Sequence, residues 1–420
     1  MRGRRPRAEA VPPSPGGEAA GLSPTGEAKK LPIREIQEWL REHDLDGWLL
    51  WDFRGQNPTA VAALGLGGHM LTRRFAYFVP RDGEPVFLVH KIEAGSVPRP
   101  AGELATYAGW VELRESLAKL LRERRRVAME YCPLGAIPYL SRVDAGTVEL
   151  VRSFGVEVVS SAELVQHFLC RLDAAQIESH ARAALVLDRV KDEAFRGIGE
   201  RIRAGHPALE TEVQGWISDM FAKAGLVTDH PAIVAVDEHA GDPHYVPRAD
   251  VAKPCAEGSL VLLDLWGKES ARDAVFADIT WCGFAGERVP PRIAEVFDVV
   301  VAGRDVGLET VRNAFAEGRR IEGWEVDRAV RDFIAAKGFG DFFVHRTGHN
   351  IGAAADHGDG ANLDDFETHD TRPLVEGLCF SIEPGVYLPE FGIRSEIDVV
   401  IEPAGVRVHT PAQRELVRIL

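Results

Sequence analysis

Two stretches decide the fold of the C-terminal half: Ser259-Leu-Val-Leu-Leu-Asp264-Leu-Trp-Gly267 and Val275-Phe-Ala-Asp278-Ile-Thr-Trp281. The first reads as an apolar strand ending in a carboxylate. The second reads as a strand with a carboxylate in its middle, and a hairpin turning around Lys268 to Asp273 joins the two. Burying one ionised carboxylate among apolar side chains costs on the order of several kcal/mol unless something compensates it. One such Asp could be satisfied by a neighbouring Ser or Arg, whereas two on adjacent strands point to a cation. Facing is set by cross-strand pairing and not by counting through the turn, so Asp264 and Asp278 can converge; Asp273 is the weaker rival for the second position.

Further along the same half, Val344-His345-Arg-Thr-Gly348-His349-Asn-Ile-Gly352 sets a histidine between small residues, and neutral imidazole is the commonest metal ligand. Phe380-Ser-Ile-Glu383-Pro-Gly-Val-Tyr387 ends an apolar strand on a glutamate capped by a Pro-Gly turn. Gly392-Ile-Arg394-Ser-Glu396-Ile-Asp-Val-Val400 opens another strand with an acid. Each signal alone is modest; a lone histidine is more often a satisfied core or surface residue. Together, four carboxylates and one imidazole make a hard, oxygen-rich donor set that suits Mn²⁺, Co²⁺ or Fe²⁺ better than a thiolate site. Five side chains offer more donor atoms than one small ion needs. That points to two divalent ions sharing bridging carboxylates, ~3.5–4 Å apart.

Around this centre the chain divides in two, as 420 residues predict. Residues 1–31 are rich in Pro, Gly, Ala and Glu behind a basic start (Arg2, Arg4, Arg5, Arg7) and read as a disordered tail. Residues 32–169 alternate strands and helices as an α/β domain. The predicted helices cover Pro32–His43, Trp110–Glu123 and Leu134–Tyr139, and the strands Gly47–Trp51, Arg74–Val79, Val86–Val89, Arg126–Glu130 and Val156–Val158. The glycines of Leu64-Gly-Leu-Gly-Gly68 lack phosphate-loop spacing and read as a loop. Residues 170–420 begin with a long helix over Ala174–Ala204 and continue as an α+β domain, with helices at Glu210–Ala224, Pro291–Glu317 and Glu325–Lys337 packed on a mostly antiparallel sheet.

Bulk properties narrow the function. Lys and Arg number 49 against 64 Asp and Glu, a net charge of −15 that repels a phosphate backbone or an anionic membrane surface, so neither nucleic acid nor membrane is an expected partner. Five scattered cysteines form no CxxC pair, and no apolar run is long enough for a membrane helix or signal peptide, so a reducing, cytoplasmic setting is expected.

The residues also resemble a family. Their order Asp, Asp, His, Glu, Glu and the local words Leu263-Asp264, Ala277-Asp278-Ile-Thr280, Gly348-His349-Asn-Ile-Gly352, Ile382-Glu383-Pro-Gly-Val-Tyr387 and Gly392-Ile-Arg394-Ser-Glu396 resemble the pita-bread metallopeptidases, which include aminopeptidase P, prolidase and methionine aminopeptidase. The first domain is similar to the creatinase-type N-terminal domain of the proline-directed branch. The resemblance implies an α/β N-terminal domain followed by an α+β pita-bread catalytic domain. It implies two divalent ions per chain, with Mn²⁺ first and Co²⁺, Zn²⁺ or Fe²⁺ as alternatives. Asp264 would chelate one ion, His349 and Glu383 the other, and Asp278 and Glu396 would bridge them.

The same resemblance implies a metal-bridging hydroxide as nucleophile, Glu383 as proton shuttle, and His244 and His357 steadying the intermediate. His244, His357, Arg394 and His345 would contact the substrate, a small peptide with proline after the scissile bond, and the assembly would be a homodimer. Three departures stand out: the aspartates are 14 apart, a longer spacing than the family's; Trp281 replaces an Arg, removing a cation near the sheet; and His357 lies one residue late after His349. The function implied is an Xaa-Pro dipeptidase or aminopeptidase. Two other readings stay open: hydrolysis or lysis of a non-peptide small amide or other metabolite by a creatinase-like relative, and an inactive binding module.

Overall fold

The helical period that opens at Pro32 forms α1 (Ile33–Glu42), burying Ile36 and Leu40. A computed structural model describes residues 31–420, so all but Leu31 of the tail expected over residues 1–31 lies outside the described residues. There follow β1 (Gly47–Phe53), α2 (Pro58–Ala63), β2 (Arg74–Pro80), β3 (Val86–His90), β4 (Glu103–Tyr107), α3 (Trp110–Leu120), β5 (Arg126–Met129), α4 (Ala145–Arg152) and β6 (Glu157–Ser160). Their strands make one mixed sheet in the order β4-β3-β2-β1-β5-β6. The helix expected over Leu134–Tyr139 is instead two 3₁₀ turns, Pro133–Gly135 and Pro138–Leu140. Pro138 has no N–H to continue a helix, and Leu134 sits at φ 57°, in the left-handed region. Sequence reasoning also passed over β4, an edge strand with little apolar patterning, and α4, whose N-cap Asp144 accepts from Thr147 N at 3.0 Å.

The chain then runs through α5 (Ala162–Val165), α6 (Ala174–Arg203), α7 (Glu210–Ala224), β7 (Leu226–Val227), β8 (Ile233–Val236), β9 (Leu260–Glu269), β10 (Ala277–Phe284), α8 (Pro291–Ala316) and α9 (Gly323–Ala336). It ends in β11 (Cys379–Ile382), β12 (Gly385–Tyr387), β13 (Gly392–Arg394), β14 (Ile397–Glu402), β15 (Gly405–Val408) and β16 (Val417–Arg418). Strand β9 does not stop at Asp264 but continues to Glu269, so the turn occupies residues 270–276, later than expected, and Asp273 lies exposed in it. Among the described residues no helix is long and apolar enough to cross a membrane.

Parity along the β9–β10 hairpin places the chemistry. Asp278 pairs with Trp266 and Thr280 with Asp264, so all four side chains lie on one face and the two aspartates are diagonal neighbours. The alternate residues Val261, Leu263, Leu265, Ala277 and Ile279 face α6 and pack on its Ala183, Leu187, Val190 and Ile198. Trp281 is on that helix-packed face, away from the carboxylates, where the Lys191 ammonium lies 3.5 Å from its ring centroid. The expected loss of a cation near the sheet is thus corrected: α6 supplies one from the other side. On the carboxylate face, Leu260, Leu262, Cys282 and Phe284 are covered by Val296, Phe297 and Val300 of α8, which leaves only the Asp264 end uncovered.

The segment around His349 lies against β11, with Ser381 N donating to His349 O at 2.9 Å and Ile351 N to Cys379 O at 2.8 Å. Glycine at 348 is required by this approach, because a Cβ there would sit 2.0 Å from the Ser381 carbonyl oxygen. Gly348→Ala is therefore expected to cost about 1–3 kcal/mol by overpacking, measured as a lower urea midpoint with unchanged slope. An unchanged midpoint would contradict this packing.

Candidate metal centre

Three elements bring the acids together. Asp264 and Asp278 come from the β9–β10 face, Glu383 follows β11, and Glu396 precedes β14, whose Ile397 pairs with Ile382 of β11. The sheets are tied by Glu396 N donating to Thr280 O at 3.3 Å and by Asp278 N donating to Asp398 Oδ2 at 2.8 Å. Thr280 Oγ1 lies 3.1 Å from Asp264 Oδ1 and 2.8 Å from Glu396 Oε2, so its one proton serves either carboxylate. The buried Asp327 of α9 accepts from both Thr347 N (2.9 Å) and Thr347 Oγ1 (2.6 Å), and Thr347 O accepts Glu383 N at 2.8 Å. This chain of bonds fixes the loop before His349 against the strand that ends at Glu383.

His349 is presented for ligation. Its Nδ1 faces the Asn350 carbonyl at 3.2 Å, which can only accept, so the proton sits on Nδ1 and the Nε2 lone pair points inward. Nε2 lies 3.5 Å from Glu383 Oε1 and 3.7 Å from Asp278 Oδ2. Ligand atoms of Asp278, His349 and Glu396 all fall within 4.8 Å of one another. Asp264 is engaged differently: its carboxylate is ion-paired to the buried Arg394 guanidinium, which also donates from Nε to Thr280 Oγ1 at 2.9 Å.

The electrostatics fit cations. Burial first, then the neighbouring carboxylates Glu396, Asp356, Asp264 and Asp398, push the Asp278 carboxyl well above the usual range. Glu396 is raised likewise by burial, then by Glu383 and Asp264. Burial also raises Asp264 against the lowering by Arg394, and lifts Glu383 to about 7. Burial lowers His349, with help from His357 and Arg346, which keeps its imidazole neutral. Asp278 Oδ1 and Glu396 Oε1 are buried without a hydrogen-bond partner. Such orphaned carboxylate oxygens are costly unless something binds them. Hard oxygens around one imidazole match divalent manganese, cobalt, iron or zinc.

A cavity of about 750 Å³ opens over the centre, lined by Asp264, Asp278, His349 and Glu383 and walled by His244, His345, His357 and Arg394. His244 is exposed on a loop pinned by the buried Glu210, which accepts from Tyr245 Oη at 2.6 Å and from Lys253 N at 2.9 Å. His345 lines the wall, but both its nitrogens are used, Nδ1 by the Arg346 carbonyl and Nε2 by Tyr387 Oη, each at 2.7 Å. It offers the cavity a ring face rather than a free donor. Arg394, expected at the substrate, has Asp264 as its first partner.

Sequence reasoning missed Asp356, a 5 % exposed acid on the cavity wall beside His349. It also missed Arg346 and Tyr139, whose Nη1 to Oη bond of 2.9 Å brings a side chain from the N-terminal half to the cavity rim. Asp356 sits next to His357 in a stretch of alanine and glycine that carries no periodic signal.

Each raised carboxyl binds its proton more tightly folded than unfolded, so the metal-free fold loses stability as pH rises from the ordinary value to the raised one. For Glu383 that window runs from 4.5 to about 7. Bound cations replace those protons, so the gain in melting temperature on adding Mn²⁺ is expected to be small near about pH 5 and to grow toward about pH 7.5. His349→Ala should remove most of that gain. Equal gains at both pH values would contradict the reading.

Comparison with known proteins places the chain. Residues 178–403 match the model of metallopeptidase family M24. The chain is 23 % identical over 399 residues to an Xaa-Pro dipeptidase of Lactobacillus delbrueckii subsp. lactis, spanning 91 % of this chain and 98 % of that one. It is 25 % identical over 402 residues to an Xaa-Pro dipeptidase of Lactobacillus helveticus, again over 91 % and 98 %. Among solved structures, the dipeptidase PepE of Mycobacterium ulcerans superposes with a TM-score of 0.70 at 21 % identity, covering 92 % of this chain and 96 % of that one, which shows the shared fold. With an α/β N-terminal domain leading into a pita-bread catalytic domain, the chain belongs to metallopeptidase family M24.

Proposed function

We propose that this M24 peptidase is a dinuclear metal-dependent exopeptidase that hydrolyses Xaa-Pro bonds in short peptides. The observation that carries the reading is the convergence of Asp264, Asp278, His349 and Glu383 on one open cavity, with Glu396 buried within ligand distance of Asp278 and His349. Asp264, Asp278, His349, Glu383 and Glu396 are the residues that would hold the ions, as the resemblance implies; Mn²⁺ is the first candidate on its preference for oxygen donors. Two bound divalent ions supply an activated water and a Lewis acid for the scissile carbonyl. The Xaa-Pro preference is supported by the relatives named Xaa-Pro dipeptidase, which align over nearly their whole length.

The chain's own residues do the rest. Glu383 has the most exposed side chain of the five, 14 % against 10 % for Asp264, so it is placed to take a proton at the cavity side and return it to the leaving amine. Ser381 Oγ donates to its Oε1 at 3.3 Å and fixes the carboxylate plane. His244 and His357 stand on the wall as hydrogen-bond donors toward a developing oxyanion. Arg346 and Tyr139 narrow the rim, which favours a short substrate.

Turnover of a panel of Xaa-Pro di- and tripeptides with added Mn²⁺ tests this. Dipeptides are expected to be cleaved fastest, with activity falling to background in Asp278→Ala and Glu383→Gln. Cleavage of other small amides with no Xaa-Pro hydrolysis would overturn the substrate assignment.

A further inference from the structure

We propose that Asp356 is an additional ligand to the metal ion held by His349, so that this chain's cage is built from five carboxylates and one imidazole. The inference rests on the dinuclear reading above and adds a residue to it. Two atoms each about 2.1 Å from one ion lie between about 3.0 and 4.2 Å apart, for cis and trans positions respectively. Asp356 Oδ2 lies 3.8 Å from His349 Nε2, beside Asp278 Oδ2 at 3.7 Å and Glu383 Oε1 at 3.5 Å. Each of these oxygens thus lies within the span from Nε2 that two ligands of one ion can have.

Asp356 has the character of a ligand rather than of a surface acid. It is 5 % exposed, and its Oδ1 is buried without a hydrogen-bond partner. The loop that carries it is fixed: Ile351 bridges His357, and Gly358 N donates to Asn350 O at 2.7 Å.

The neighbouring His357 could compete for the role, since ligand atoms of His349, Asp356 and His357 also fall within 4.8 Å of one another. Arg346 Nη2 donates to His357 Nδ1 at 3.0 Å, however, which leaves the proton on Nε2, the atom 3.7 Å from Asp356 Oδ2. An N–H cannot ligate, so His357 is not a rival ligand and its proton stays available to the cavity.

The test is Mn²⁺ titration of the full chain by calorimetry, wild type against Asp356→Asn, with melting of both proteins after chelation. The wild type is expected to bind two ions. Asp356→Asn should weaken one of them at least about tenfold, while melting no lower than wild type without metal, because one charge has left a repelling cluster. Asp356→Ser, too short to reach the ion, is titrated alongside and should show the same weakening if the Asn variant does not fold. Two unchanged binding events in the folded variants would overturn the role of Asp356 alone. Failure of the wild type to bind two ions would overturn the dinuclear reading and this inference with it.

Discussion

The compensation of buried negative charge is the constraint on which the rest depends. Asp264, Asp278 and Glu396 are each almost wholly removed from water, and among the described residues Arg394 is the one permanent cation ion-paired to the group. Carboxylates so close raise one another's proton affinity, and in an interior of low dielectric that repulsion is large. A fold can keep such a cluster only by holding protons or cations there. The hydrogen-bonded frame behind the acids, with Thr280, Asp398 and Asp327 each bound to backbone or side chain across a strand boundary, holds the oxygens in place. Positions set in this way are what a metal centre requires.

The frame explains why the site lies where it does. One face of the β9–β10 hairpin is sealed by α6, and the other is sealed by α8 only over its Leu260 end. The carboxylates occupy the remaining part of that second face, which is the floor of the cavity. The loop bearing His349 closes one side by lying along β11, and the N-terminal half reaches the rim through Tyr139. Further contacts across the same boundary, from Thr59 and Arg142 to Asp359, fix that rim.

Much of this was legible in the residues, for stated reasons. Two apolar strands each interrupted by a carboxylate are readable in the residues, but that Asp264 and Asp278 share a face, with Trp281 on the other, follows from the register that pairs Asp278 with Trp266 and Thr280 with Asp264. The sequence did not reveal where β9 stops, because Lys268 and Glu269 read as turn residues, although Lys268 is 5 % exposed in the strand. The Leu134–Tyr139 segment has helical spacing, but its prolines and the left-handed Leu134 break it into turns. Asp356 was out of reach because its position depends on a glycine-rich loop folding back on Ile351, a contact without local periodicity. The pairing of Arg394 with Asp264 was hidden for a related reason, since 130 residues separate the partners.

Anomalous diffraction from a crystal soaked in Mn²⁺ tests the central claim most directly. The account predicts two peaks about 3.5–4 Å apart, both between Asp278 and Glu396, with His349 Nε2 in contact with one of them. No peak in that space, or Mn²⁺ bound elsewhere while Asp278 and Glu396 keep only protein partners, would contradict it.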